Sequence, residues 1–236
     1  TSRQLGAIGA CHITHSGNAL LLSYYSGGAA ELFGLDQDGL PEENSAFVLY
    51  QQGSGPMPQQ NASHIHWGSI SQSSNYSCEF LLIDLGNDTI SRYLCTRLSS
   101  ESESELSCEM IFAMPPGSGP RHAVVDNKSQ LLYVLTELSS ELYVIDTSED
   151  LWRVQVKYDL RSNEKCGDSW AGAIKSSQHS DLLFCSNRGD DTIRTFSVSS
   201  RIPSELRPWP LGKLAAEHSY PRDLQHVVFT SAEYLL

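Results

Sequence analysis

The sequence predicts an all-β fold, a β-propeller built from four-stranded antiparallel blades. Three observations carry this. Four segments repeat one another along the chain: LLSYYSGGAAELFGL from Leu21, LLIDLGNDTISRYL from Leu81, LLYVLTELSSELYVI from Leu131 and LLFCSNRGDDTIRTFSV from Leu182. Each couples an apolar strand to an alternating one through a tight polar turn, the pattern of a β-hairpin. Their double-Leu anchors recur at positions 21, 81, 131, 182 and 235, in steps of 60, 50, 51 and 53 residues, and a step near 50 is propeller spacing. No long stretch has the 3.6-residue apolar period of an amphipathic helix.

The remaining strands follow from their places around the hairpins. Upstream of each lies a short candidate first strand: ACHITHS, SHIHWGSIS, PRHAVVD and WAGAIKS. Candidate fourth strands are AFVLYQQ, CEMIFAM and RVQVKYDL, and a fifth unit begins at YPRDLQHVVF. Two stretches interrupt the repeat. QQGSGPMPQQNAS is rich in turn formers and predicts a loop, and the acidic run SSESESELS predicts a solvated surface loop. The repeat continues across both, so residues 1–236 are expected to form one partial propeller domain, about four to five blades of a seven-bladed ring. The chain has no initiator Met and its start lacks the basic and apolar regions of a signal peptide. It is therefore expected to be a piece of a longer protein acting in the cytoplasm.

Composition narrows the function. A formal net charge of -12 argues against nucleic acid, whose phosphates need Lys and Arg, but not against a small anion, because the field inside a cleft can oppose the global charge. No run of about 18 apolar residues is present, so no membrane partner is expected. The six cysteines, Cys11, Cys78, Cys95, Cys108, Cys166 and Cys185, form no C-x-x-C pair. They are expected to be free thiols in a reducing compartment rather than zinc ligands or a redox dithiol. Sequons begin at Asn61, Asn75, Asn87 and Asn127 and, without a signal peptide, are read as unglycosylated.

Strand direction then sorts the polar residues. Strands of an up-and-down blade alternate in direction, so first-strand starts and second-strand ends share one edge of the sheet. His12, His66, Arg121, His122 and Arg222 stand at first-strand starts, while Tyr24, Tyr25, Asp84, Glu137, Asn187 and Arg188 stand at second-strand ends. All are expected to ring one mouth of the channel. His64 and His66 share a strand face, but carboxylate and Cys partners at ligand spacing are missing, so no metal is expected. No cofactor is expected either.

Several of these stretches resemble one family. DLGNDTISRY is similar to the DLG-x-D-x-x-x-x-Y stretch of the 6-phosphogluconolactonase-like propellers, a family that also includes fungal carboxymuconate lactonizing enzymes. GSGPRHAVVDNKSQLLYVLTEL resembles its G-x-GPRH…Y-x-x-x-EL stretch, SNRGDDTIRTFSV its SNRG-x-D-S-I pair, SYYSGG its NYSGG turn and YPRDL its later PRD start. Tyr24 and Thr136 depart from the pattern, each standing where the family has Asn. The resemblance implies that His66, Arg121, Glu137 and Arg188 are catalytic. His64, His122, Asn187 and Arg222 flank them and are expected to contact substrate. It implies hydrolysis of 6-phospho-D-glucono-1,5-lactone to 6-phosphogluconate. A water would be activated by His66 or Glu137, and Arg121 and Arg188 would hold phosphate, carboxylate or oxyanion. A carboxymuconate-type cyclase and a non-catalytic binding scaffold are the alternatives, since a fold does not fix a reaction.

Overall fold

The computed structural model describes residues 7–42, 47–50, 53, 55–74, 77–96, 105–161, 169–177, 181–188, 190–206, 209–210, 226–229 and 232–235. Among them the single helical element is a 3-10 turn, Pro58–Gln60. Everything else regular is β. The strands are β1 Ala10–Ser16, β2 Ala19–Tyr24, β3 Ala29–Gly34 and β4 Phe47–Tyr50 in the first sheet, and β5 Ile65–Ser73, β6 Ser77–Asp84, β7 Thr89–Thr96 and β8 Glu105–Ala113 in the second. The third holds β9 Pro120–Asp126, β10 Leu131–Thr136, β11 Glu141–Asp146 and β12 Arg153–Asp159. The fourth holds β13 Trp170–Ser176, β14 Leu182–Arg188, β15 Thr192–Ser197 and β16 Ser204–Glu205, with β17 Trp209–Pro210 also paired to β15. A last hairpin joins β18 His226–Phe229 to β19 Ala232–Leu235. Within each four-stranded sheet, strands that follow one another in sequence lie side by side, the antiparallel blade arrangement of a β-propeller.

The contacts of the chain group into two compact units, Thr1–Pro120 and Arg121–Leu236. In the first, one apolar cluster joins the facing sides of the first two sheets, with Leu21 and Leu32 against Ile65, Phe80, Leu82 and Tyr93. In the second, Leu131, Tyr133 and Val144 pack with Ile174, Leu183, Cys185 and Phe196 in the same way. Burial follows strand position. The central strands β2, β3 and β10 are buried along nearly their whole length and carry near-continuous apolar runs. The outer strands β8 and β12 alternate between exposed and half-buried residues, as expected of a sheet edge with one wet face.

The register corrects one expectation. The second strands close on the third at Tyr24↔Ala29, Asp84↔Thr89, Thr136↔Glu141 and Asn187↔Thr192, so Tyr24, Asp84, Thr136 and Asn187 are the equivalent positions. Counted from them, the double-Leu anchors are not all equivalent. Leu21 and Leu81 stand three residues before the turn, Leu131 and Leu182 five. A slip of two keeps every side chain on the same face, so apolar pattern could not detect it. The acidic run is also shorter as a loop than expected, because Glu105, Leu106 and Ser107 already belong to β8.

Each hairpin turn ends on a residue with positive φ: Gly28 (56°), Asp88 (54°), Ser140 (52°) and Asp191 (53°). The same positions tie one sheet to the entry of the next. A Cβ at Gly28 would stand 2.7 Å from the Ser63 carbonyl oxygen. Asp88 accepts from the Gly117 and Gly119 amides, both at 2.7 Å, and from the Ser118 hydroxyl at 3.1 Å. The Ser140 hydroxyl donates to the Ser169 carbonyl at 2.5 Å. Ser63, Ser118 and Ser169 thus recur at one inter-blade joint, a repeat the apolar pattern did not reveal.

Candidate active site

In the first, second and fourth sheets first-strand starts meet second-strand ends: Ala10 lies opposite Tyr24, Ile65 opposite Asp84 and Trp170 opposite Arg188. This edge carries the candidate residues of both units.

In the second unit Arg121 is the second residue of β9, Glu137 follows the last residue of β10, and Arg188 ends β14. The Glu137 carboxylate lies between the two guanidinium groups. Its Oε2 accepts from Arg121 Nη1, and its Oε1 accepts from Arg188 Nη2 at 2.7 Å. The start of β13 orients both arginines through consecutive carbonyls. Arg121 Nε donates to Gly172 O at 2.6 Å, while Arg188 donates from Nη2 to Ala171 O and from Nε to Trp170 O, each at 3.3 Å. The three side chains are 11%, 17% and 7% exposed for Arg121, Glu137 and Arg188. Burial alone would raise the Glu137 pKa, but the two guanidinium charges and their hydrogen bonds outweigh it and hold the carboxyl below its ordinary range. Two cations and one anion leave a net positive cluster, a charge balance and fork geometry chemically suited to a small anion.

Asn187 is beside this cluster but takes another part. It is fully buried. Its amide donates to Leu160 O at 2.9 Å and to Asp190 at 3.2 Å, and its oxygen accepts from Ser169 at 2.8 Å. Its equivalents close turns too: Asp84 accepts from Ser63 at 2.6 Å and from the His64 and Gly86 amides at 2.8 Å, and Thr136 Oγ1 accepts from the Glu141 amide at 3.0 Å. His122 is half-buried on β9. Arg222, and the YPRDL start around it, lie outside the described residues, as does Cys166.

In the first unit His66 is buried at a β-bulge, since Ile65 faces Asp84 while Trp67 faces Ile83. Bulges re-aim one side chain and gather near functional edges. Cys11 occupies the matching bulge of β1, where Ala10 faces Tyr24 and His12 faces Ser23. Its thiol lies 3.5 Å from the Ile65 carbonyl. Tyr25 joins two of the predicted residues: it stacks on His64 at 4.3 Å and 10°, and meets His66 edge-on at 5.4 Å. His64 is tied to the turn, with Nδ1 2.9 Å from Tyr25 O and Nε2 3.1 Å from Asn61 Oδ1. Tyr25 holds the position that Glu137 and Arg188 hold in their own sheets, one residue past the turn-closing Tyr24, Thr136 and Asn187. That repeat equivalence is the signal by which sequence could have ranked it with them.

The family model described as lactonase, 7-bladed beta-propeller, matches residues 2–231. The chain belongs to this lactonase family. Among curated relatives, the 6-phosphogluconolactonase of Bacillus subtilis is 27% identical over 219 residues, covering 90% of this chain and 58% of that protein. That of Formosa agariphila is 29% identical over 191 residues, covering 79% of this chain and 52% of its own. The chain thus spans a little over half the length of these relatives. Among solved structures, a Bacteroides fragilis protein superposes with a TM-score of 0.76 at 23% identity, over 97% of this chain and 63% of its own. A periplasmic gluconolactonase of Pseudomonas aeruginosa gives 0.69 at 24%, over 85% and 56%. At such identities the structures speak for the fold.

Proposed function

We propose that the chain carries part of the active site of a lactonase that hydrolyses 6-phospho-D-glucono-1,5-lactone to 6-phosphogluconate. The observation that carries this reading is the Glu137 carboxylate held between Arg121 and Arg188 in a chain of the lactonase family. Hydrolysis needs an activated water, a stabilised oxyanion and a grip on an anionic substrate. The arginine pair suits the last two. Glu137 suits neither proton transfer nor nucleophilic attack. Both its oxygens are engaged by guanidinium groups and its carboxyl is held ionised, which makes it a weak base. Its role in this reading is to space and orient the two arginines. Because a phosphorylated sugar is too strongly hydrated to cross a bilayer, the reading carries a cytoplasmic site of action with it. No helix among the described residues is long and apolar enough to span a membrane.

The test is lactone hydrolysis by the full-length protein above the spontaneous background, followed by acid release. Arg121→Ala and Arg188→Ala are expected to lower kcat/KM on the order of 10²-fold or more if they hold the oxyanion, and mainly to raise KM if they hold only phosphate. Arg188→Lys is expected to be nearly as damaging, since an ammonium cannot bond Glu137 and the Trp170 and Ala171 carbonyls through one planar fork. Parent-like rates in all three variants would reject the reading.

A further inference from the structure

One pair of nucleophilic side chains lies apart from the candidate active site. Cys78 and Cys95 face each other directly across β6 and β7, at the open end of the hairpin, away from the turn that follows Asp84. Both are fully buried in the cluster that also holds Phe80 and Tyr93, with Leu49 and Leu106 against it. Both are free thiols. Directly opposed residues of an antiparallel pair have Cα atoms about 4.5 or 5.5 Å apart, depending on whether the pair exchanges hydrogen bonds. Either value falls inside the range of about 4.4–6.8 Å that a disulfide accepts. The Cβ atoms start about 4.5–5.5 Å apart and need to close by no more than about 1 Å. The sequence did not point to the pair, because sixteen intervening residues hide what the register makes adjacent.

We propose that Cys78 and Cys95 are a dithiol site that closes to an intrachain disulfide across β6 and β7 in an oxidising medium and stays reduced elsewhere. The oxidant is a small-molecule disulfide. One protein thiolate attacks a sulfur of that disulfide, forming a mixed disulfide and releasing one small thiol. The second protein sulfur then attacks the protein sulfur of the mixed disulfide and releases the other. Two protein thiols become one disulfide, one small disulfide becomes two thiols, and the two protons end on those thiols. Burial pushes the Cys78 thiol up to about 12 and the Cys95 thiol up to about 11, the nearness of Cys95 adding to the shift at Cys78. Thiolate is therefore scarce at neutral pH, and the reaction in the folded chain waits on local opening.

The purified chain is incubated with excess oxidised glutathione at pH 8.5, in one arm folded and in a second arm while refolding from urea. Samples are quenched in acid, alkylated, digested and mapped by mass spectrometry. The expected result is a peptide joined through Cys78 and Cys95, slower to appear in the folded arm, while the exposed Cys11 and Cys108 carry glutathione. The oxidised chain should melt about 5 °C or more above the reduced one, and Cys95→Ala should lose both the joined peptide and the shift. Recovery of Cys78 and Cys95 alkylated in both arms, or with a glutathione that the partner thiol does not displace, would overturn the proposal.

Discussion

Glu137 shows how much a single residue can organise. Removing its charge takes the carboxylate from between two guanidinium groups that are 11% and 7% exposed, and breaking a buried ion pair of that kind costs about 3 kcal/mol or more. Glu137→Gln is therefore expected to lower the urea midpoint at pH 7. The sign of the pH dependence follows from the lowered folded-state pKa. The stabilisation is fully present above the unfolded carboxyl pKa, about 4.3, and is lost as pH falls through the lower folded value. The gap between parent and Glu137→Gln should hence be constant from pH 7 to 5 and shrink progressively below about pH 4.5. A gap that stays constant on further acidification would mean that the variant acts by disturbing packing rather than by removing a charge.

At the scale of the element, the hairpin turns combine a left-handed residue with a close approach of backbone. Gln130 ends the β9–β10 turn at a φ of 53°, and its side chain is exposed. Gln130→Gly should raise stability by up to about 1 kcal/mol through relief of that conformation. Gly86 is the opposite case. Any Cβ there would stand 1.8 Å from the Ala62 carbonyl oxygen, a backbone atom that cannot step aside. Gly86→Ala should cost about 3 kcal/mol or more, read from denaturant midpoints at unchanged m-value. The sequence marked the turn of Gly86 as tight and polar. It did not say that the residue at the turn end also reaches the entry of the next sheet, as Asp88 does at Gly117–Gly119.

Each of the two compact units is built from repeated sheets whose facing sides bury a shared apolar cluster. Stability in such an architecture is close to a sum of blade terms and interfaces between adjacent blades. Leu82 is buried in the interface of the first two sheets and Phe196 in that of the last two full ones. Leu82→Ala and Phe196→Ala should each cost about 3–5 kcal/mol, a large part of the 5–15 kcal/mol that holds a typical domain folded. If the two interfaces are energetically independent, the double variant should lose the sum of the two within about 0.5 kcal/mol. A markedly smaller or larger loss in urea titrations would show that the two interfaces are coupled.

What the sequence determined by itself was everything written in local periodicity: the all-β class, the hairpins, the bounds of β9 and β13, and the edge of each sheet where polar residues gather. Those features depend on alternation and turn chemistry within some ten residues, and neither needs a partner far along the chain. Resemblance added the choice of Arg121, Glu137 and Arg188 from among the polar residues on that edge. Tertiary structure decided the rest. It corrected the two-residue slip among the Leu anchors, because a period of two cannot register it. It turned Asn187 into a turn-closing residue bonded to Leu160, Asp190 and Ser169, and it set Cys78 against Cys95. It also gave each oxygen of Glu137 to a different arginine. Those contacts join residues from separate strands and turns, and only the folded register fixes which side chains come within hydrogen-bonding or bonding distance.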